Sequence, residues 1–152
     1  MLLGACLLGT VGFAACRAAP GSGLLPPQPT APPAELRNTR WVLQRLGGQA
    51  VPRPFRQEPH LLLRHDARQA RGHGGCHPFQ GPFRQPAAGR LRFGPLALAA
   101  TACPNDTTAA TETRFLQALA ATRTYRISGD TLRLFGLGAA QPVAVLWAVY
   151  LR

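Results

Sequence analysis

The sequence predicts an α+β domain: an antiparallel, barrel-like β-sheet with one main α-helix at about 107–121, preceded by a signal peptide and a disordered, proline-rich tether. Three observations carry that prediction. Short apolar runs recur from position 36 onward, several of them alternating with arginine at the two-residue period of a half-buried strand. Thr107 to Ala121 contains neither Gly nor Pro and follows a capping Asn-Asp pair. Before position 36 the chain is first wholly apolar and then proline-rich, and neither composition builds a core.

Residues 1–15 are apolar and uncharged, too few to span a bilayer but suited to a signal-peptide core. The stretch Gly12-Phe13-Ala14-Ala15-Cys16 resembles a bacterial lipobox, with cleavage before Cys16 and lipidation of that cysteine. Too little apolar sequence precedes the similar Leu3-Gly4-Ala5-Cys6. Arg17 follows the cysteine and no Asp stands there to favour inner-membrane retention. The expected location is therefore the cell envelope, anchored by lipid in the outer membrane and facing the periplasm. Residues 16–35 hold Pro20, Pro26, Pro27, Pro29, Pro32 and Pro33 and read as an extended tether reaching about 50 Å. The domain is expected over 36–152.

Within it, Arg40 to Leu46 reads as a first strand stopped by Gly47-Gly48, and Arg53 to Pro59 as a proline-broken loop. His60 to Arg64 is a short buried strand. Gly72, Gly74 and Gly75 predict close backbone approach or positive φ around Cys76. Phe79 to Phe83, interrupted by Gly81 and Pro82, reads as an edge strand or bulge. Leu91 and Phe93 alternate with Arg90 and Arg92 in a half-buried strand. On the helix, Phe115, Leu116 and Leu119 form the apolar face, with Glu112, Arg114 and Gln117 largely elsewhere. Thr124 to Ile127 and Thr131 to Leu134 flank the turn Ser128-Gly129-Asp130, a hairpin with Tyr125, Ile127, Leu132 and Leu134 facing inward. Val143 to Leu151 is apolar at nearly every position and predicts a central strand.

The chain is strongly basic, with seventeen arginines, no lysine and six acids, for a net charge of +11. The arginines are scattered singly, without runs or interleaved aromatics, which argues against nucleic-acid binding and for a solvated basic surface able to attract an anionic ligand or lipid.

The order and spacing of several segments resemble the META domain, the small envelope domain of HslJ-like heat-shock lipoproteins. Trp41-Val42-Leu43 matches the family's first strand. Gly72, Gly75, Cys76 and Gly81 match its glycine-rich segment, and Phe93-Gly94-Pro95-Leu96 with Ala102-Cys103-Pro104 match the second segment. Glu112, Phe115, Leu116 and Leu119 match the helix, and Tyr125-Arg126-Ile127 through Leu134 match the hairpin. The resemblance covers the whole domain and implies a role in envelope stress tolerance or drug resistance. Three residues depart from the pattern: His77 stands where Asn is usual after the first cysteine, Ala99 where Thr is usual four residues before the second, and the aromatic that closes the first segment is Phe83, without a hydroxyl. If the usual Asn and Thr only fix loop hydrogen bonds, His77 can substitute and Ala99 cannot.

An exported chain meets an oxidising compartment, so Cys76 and Cys103 are expected to pair. That bridge would close a loop of about 26 residues, worth roughly 3 kcal/mol in the loop-entropy view. Cys6 leaves with the signal peptide, and Cys16 carries lipid. His73 and His77 flank Cys76, so His73, Cys76 and His77 form an alternative metal-ligand set, although the spacing is poor and a disulfide removes the thiolate. A Cys76–His77 nucleophile pair would need a special turn, and no nucleophile elbow, phosphate loop or dinucleotide fingerprint is present. The reading is a non-catalytic lipoprotein without a cofactor. It is attached to the membrane through its anchor and binds an envelope protein or anionic ligand through the sheet face or the loops near the cysteines. Gly75, His77, Phe79 and Gly81 are the candidate binding residues.

Overall fold

In the computed structural model, which describes residues 32–53 and 55–150, strand β1 (Arg40–Leu46) runs through the middle of the sheet. It is followed by β2 (Gln49–Ala50), β3 (His60–Leu63), β4 (Gln69–His73), β5 (Pro78–Arg84), β6 (Arg92–Phe93) and β7 (Ala97–Leu98). Helix α1 (Asp106–Ala121), β8 (Thr124–Ser128), β9 (Thr131–Phe135) and β10 (Ala144–Val149) complete the chain. The signal peptide, Cys16 and most of the tether lie outside the described residues. Ala34 is already packed, with its N–H donating to the Gly129 carbonyl at 3.0 Å.

The sheet is antiparallel throughout, in the order β6-β5-β4-β3-β1-β10-β9-β8, with β2 added to β1 and β7 to β5. Its two ends come together. Arg90, just before β6, bridges to Thr124 at the start of β8, and the N–H groups of Leu91 and Tyr125 donate to the carbonyls of Arg123 and Gly89. The sheet is thereby a nearly closed barrel with one helix.

Alternation decides what fills it. Leu43 faces Leu146 across β1 and β10, Leu146 faces Leu132 and Ala144 faces Leu134 across β10 and β9, and Trp41 faces Leu61 across β1 and β3. All of these are buried. Trp41 also donates its indole N–H to the Leu36 carbonyl at 3.0 Å, which satisfies the polar end of a fully buried ring. Val42 should point outward by the same alternation, yet it too is buried. It lines a small hollow with Val51, Phe55 and Pro59, so the proline-broken loop covers this part of the outer face.

Helix α1 starts where the sequence places its cap. Asn105 is extended, and its side-chain oxygen accepts the N–H of Thr108 at 2.8 Å. The helix lays Phe115 and Leu119 into the core, and Phe115 meets Phe79 edge-on at 5.9 Å. It ends at Thr122, whose buried hydroxyl donates back to the Ala118 carbonyl.

Two expectations are corrected. Strand β5 is not an edge: it pairs with β4 on one side and with β6 and β7 on the other. Gly81 permits this, because a side chain there would strike the Pro95 carbonyl and Leu96. Glu112 is not on the outward face of the helix but on the buried one, 6% exposed. Strand β10 is central, between β1 and β9, as its apolar run predicts, with Trp147 55% exposed on the outer face.

Candidate functional site

The turn joining β4 to β5 is built from Gly74, Gly75, Cys76 and His77. Gly74 donates its N–H to the His77 carbonyl at 2.8 Å, which closes the turn. Gly75 has a φ of 112°, a conformation that side-chain-bearing residues rarely adopt. At Gly74 the requirement is room, since a Cβ would overlap the side chain of Glu112. The turn is thus shaped to admit a carboxylate from the helix.

Glu112 uses both oxygens. One accepts the backbone N–H groups of Cys76 (3.2 Å) and His77 (2.6 Å). The other lies 2.8 Å from His77 Nδ1. The opposite ring nitrogen, Nε2, is 2.6 Å from the Thr101 hydroxyl. With Nδ1–H donating to the carboxylate, Nε2 is left as the acceptor for Thr101, and the ring is fixed in tautomer and orientation. His77 is 8% exposed, so this network lies below the surface while Thr101 caps it from outside. The segment carrying Thr101 is fastened by a disulfide between Cys76 and Cys103, with Cα atoms 5.5 Å apart. His77 thus holds the second loop by a hydrogen bond, as a substitute for the usual asparagine can.

Carboxylate, imidazole and hydroxyl stand here in the order of an acid–base–nucleophile relay. The carboxylate, however, is also the acceptor for two backbone N–H groups, which makes it a clasp for the turn. The ligand atoms of Cys76, His77, Cys103 and Glu112 all lie within 4.8 Å of one another, a spacing that could hold a metal ion, but the two sulfurs are bonded to each other. His73 does not join this group. Its Nδ1 accepts the Gly75 N–H at 3.1 Å, and its ring stacks on His60 at 6.4 Å. The set His73, Cys76 and His77 is therefore not assembled as the sequence suggested. Of the other candidate residues, Phe79 is in the core against Phe115, and Gly81 lies behind the Pro95 carbonyl, so both serve packing.

A family model for the META domain matches residues 34–147. The chain belongs to the META domain family. Its fold is shared by two solved structures, both determined by NMR. A protein from Burkholderia xenovorans is 20% identical with a TM-score of 0.61, over 84% of this chain and all of that one. A second protein is 19% identical with a TM-score of 0.57, over 74% of this chain and 90% of that one. No curated protein matches the chain.

A second place on this META domain is suited to a ligand. Asn38, Arg40, His60, Arg64, Val149 and Tyr150 line an open hollow of about 560 Å³ beside β1 and β3. Arg40 lends it positive charge, with its Nε–H buried without a hydrogen-bond partner, while the Arg64 guanidinium is paired with Asp66 at 3.1 Å. Burial lowers the pKa of His60 and the Arg40 charge lowers it further, partly opposed by the hydrogen bond from Nδ1 to the Glu58 carbonyl. Burial also lowers that of His73, and the neighbouring His60 adds to the effect. Sequence reasoning missed this hollow because Arg40 lies on β1 while Arg64 lies just past the end of β3. Only the β1–β3 register, which sets Arg40 opposite Leu62, brings them together.

Proposed function

We propose that this META domain is a non-catalytic binding scaffold of the cell envelope, tethered by a lipid on Cys16 in the outer membrane and acting in stress tolerance or drug resistance. The observation that carries the scaffold part is the engagement of Glu112. Its carboxylate fastens the Gly74–His77 turn through two backbone N–H groups, and with the disulfide it makes the two cysteine loops one rigid unit. A bridge between the domain cysteines agrees with an oxidising compartment, and the lipobox-like sequence before Cys16 agrees with anchoring. The cationic hollow around Arg40, with its unpartnered donor, supports an anionic ligand rather than nucleic acid, since a single concave site of this size fits a small anion.

The test is complementation. A deletion strain challenged with heat or an envelope-active drug should be rescued by the native chain and equally by Thr101→Ala, but not by Cys16→Ser, which should also leave the membrane fraction. Failure of Thr101→Ala to rescue, together with an ester- or amide-hydrolysing activity that this variant abolishes, would replace the scaffold with an enzyme.

A further inference from the structure

The groups around Cys76 bring four candidate metal ligands together, two of them joined in the disulfide. We propose that reduction of Cys76–Cys103 converts the clasp into a Zn²⁺ site, with Cys76 Sγ, Cys103 Sγ and His77 Nε2 as ligands and Glu112 behind the histidine. The geometry is already present. The candidate ligand atoms lie within 4.8 Å of one another, and Cys76 Sγ is 3.5 Å from His77 Nε2. Tetrahedral zinc, with bonds of about 2.0–2.3 Å, needs ligand atoms about 3.3–3.8 Å apart, which the Cys76–His77 pair already meets and which the two sulfurs reach by separating once their bond is broken. His77 has its Nδ1 on the Glu112 carboxylate at 2.8 Å, so the carboxylate fixes the ring, and Nε2 becomes a ligand once the Thr101 hydroxyl, 2.6 Å away, moves off it. A carboxylate holding the far nitrogen is the usual support for a zinc-bound histidine. Two thiolates and an imidazole suit a borderline-soft divalent ion and are unsuited to calcium or magnesium. The fourth position opens toward Thr101, which is exposed and 2.6 Å from Nε2.

The gate is a thiol exchange. A dithiol reductant attacks one bridge sulfur, two electrons and two protons pass to Cys76 and Cys103, and the reductant leaves as its own disulfide. Zn²⁺ then displaces the two thiol protons and binds. Both cysteines are half-buried rather than enclosed, so a reductant can reach them. A disulfide oxidant reverses the step: it takes two electrons from the two thiolates, leaves as its dithiol, and the re-formed bridge releases the ion.

The experiment uses the full chain in detergent carrying Cys6→Ser and Cys16→Ser, so that Cys76 and Cys103 are its only thiols. Zn²⁺ affinity is measured by competition with a chromogenic chelator, and Co²⁺ is added as a spectroscopic probe, before and after reduction and removal of the reductant without air. One equivalent should bind at least about 100-fold more tightly after reduction, with thiolate-to-cobalt absorption in the near ultraviolet. In the reduced chain His77→Asn should weaken binding at least tenfold and Glu112→Gln by about 10–100-fold, while His73→Gln should have no effect. Equal binding by the oxidised chain, no binding after reduction, or a reduced His77→Asn chain within twofold of its parent would overturn the proposal. The last result also covers a reduced chain that unfolds and binds metal through two flexible thiols. These outcomes leave the scaffold role untouched, which depends instead on the behaviour of Thr101→Ala.

Discussion

Replacing Glu112 by alanine separates a clasp from an incidental buried charge. The carboxylate accepts from Cys76 N–H, His77 N–H and His77 Nδ1, and it sits against Gly74 with 6% exposure. Truncation strands two backbone donors, each costing about 1–3 kcal/mol when buried, and leaves His77 without its partner. Water entering the vacated space returns part of that. The net loss should be about 3–5 kcal/mol, the range for breaking a buried pair, against a total stability of about 5–15 kcal/mol. In a domain of this size that corresponds to roughly 10–25 °C in Tm. Glu112→Gln keeps one acceptor oxygen and the packing while losing the charge, so it should cost only about 1–2 kcal/mol. Urea unfolding followed by the fluorescence of Trp41 and Trp147 and by far-ultraviolet dichroism gives both numbers with the disulfide intact. A loss below about 1 kcal/mol for Glu112→Ala would show that solvent replaces the carboxylate freely, and the clasp argument would fail.

Other perturbations test neighbouring features. Reducing the Cys76–Cys103 bridge in the absence of metal should lower stability by about 3–4 kcal/mol, measured by chemical denaturation with and without reductant. Gly72→Ala should cost about 2–4 kcal/mol or block folding, because a Cβ there meets the His60 carbonyl and the Phe79 ring, and backbone cannot yield as a side chain can. The pKa values of His60 and His73 are lowered in the fold, so the unfolded chain binds more protons near their ordinary value of about 6.5. Their contribution should be fully present above that pH and lost as pH falls through the folded values, and the double variant His60→Gln, His73→Gln should show a flatter stability profile from pH 7 to 5. If the hollow beside β1 takes an anion, Arg40→Gln should abolish binding of a small polyanion whose affinity in the native chain falls as salt is raised. Unchanged affinity would place the anion elsewhere.

Much of the frame was legible because it is written in local signals. Asn105 announces the helix, Gly129-Asp130 the hairpin turn, and the alternation of Tyr125, Ile127, Leu132 and Leu134 the inward face, and each element stands where those residues put it. Glu112 was placed on the wrong face because it was judged by polarity. By spacing it stands three residues before Phe115 and seven before Leu119, which is the apolar stripe, and that periodicity was the better guide. Phe79 and Gly81 drew notice as members of a glycine-rich segment, yet their requirement is packing. Such a segment reads the same whether its glycines make space for a ligand or for the protein's own carbonyls and carboxylates. The contact of His77 with Thr101 and the meeting of Arg40 with Arg64 join residues distant in sequence, and no local pattern encodes them.

The stitching of Arg90 to Thr124 has a consequence for how this molecule can meet others. A sheet with free margins offers rows of unused amide and carbonyl groups on which another chain can add a strand, and that is a common route both to peptide recognition and to fibrous aggregation. Here the two margins of the main strand path consume each other. A visiting polypeptide therefore has little backbone to copy and must be recognised by side chains on a face or at a loop. That favours selective contacts over self-association.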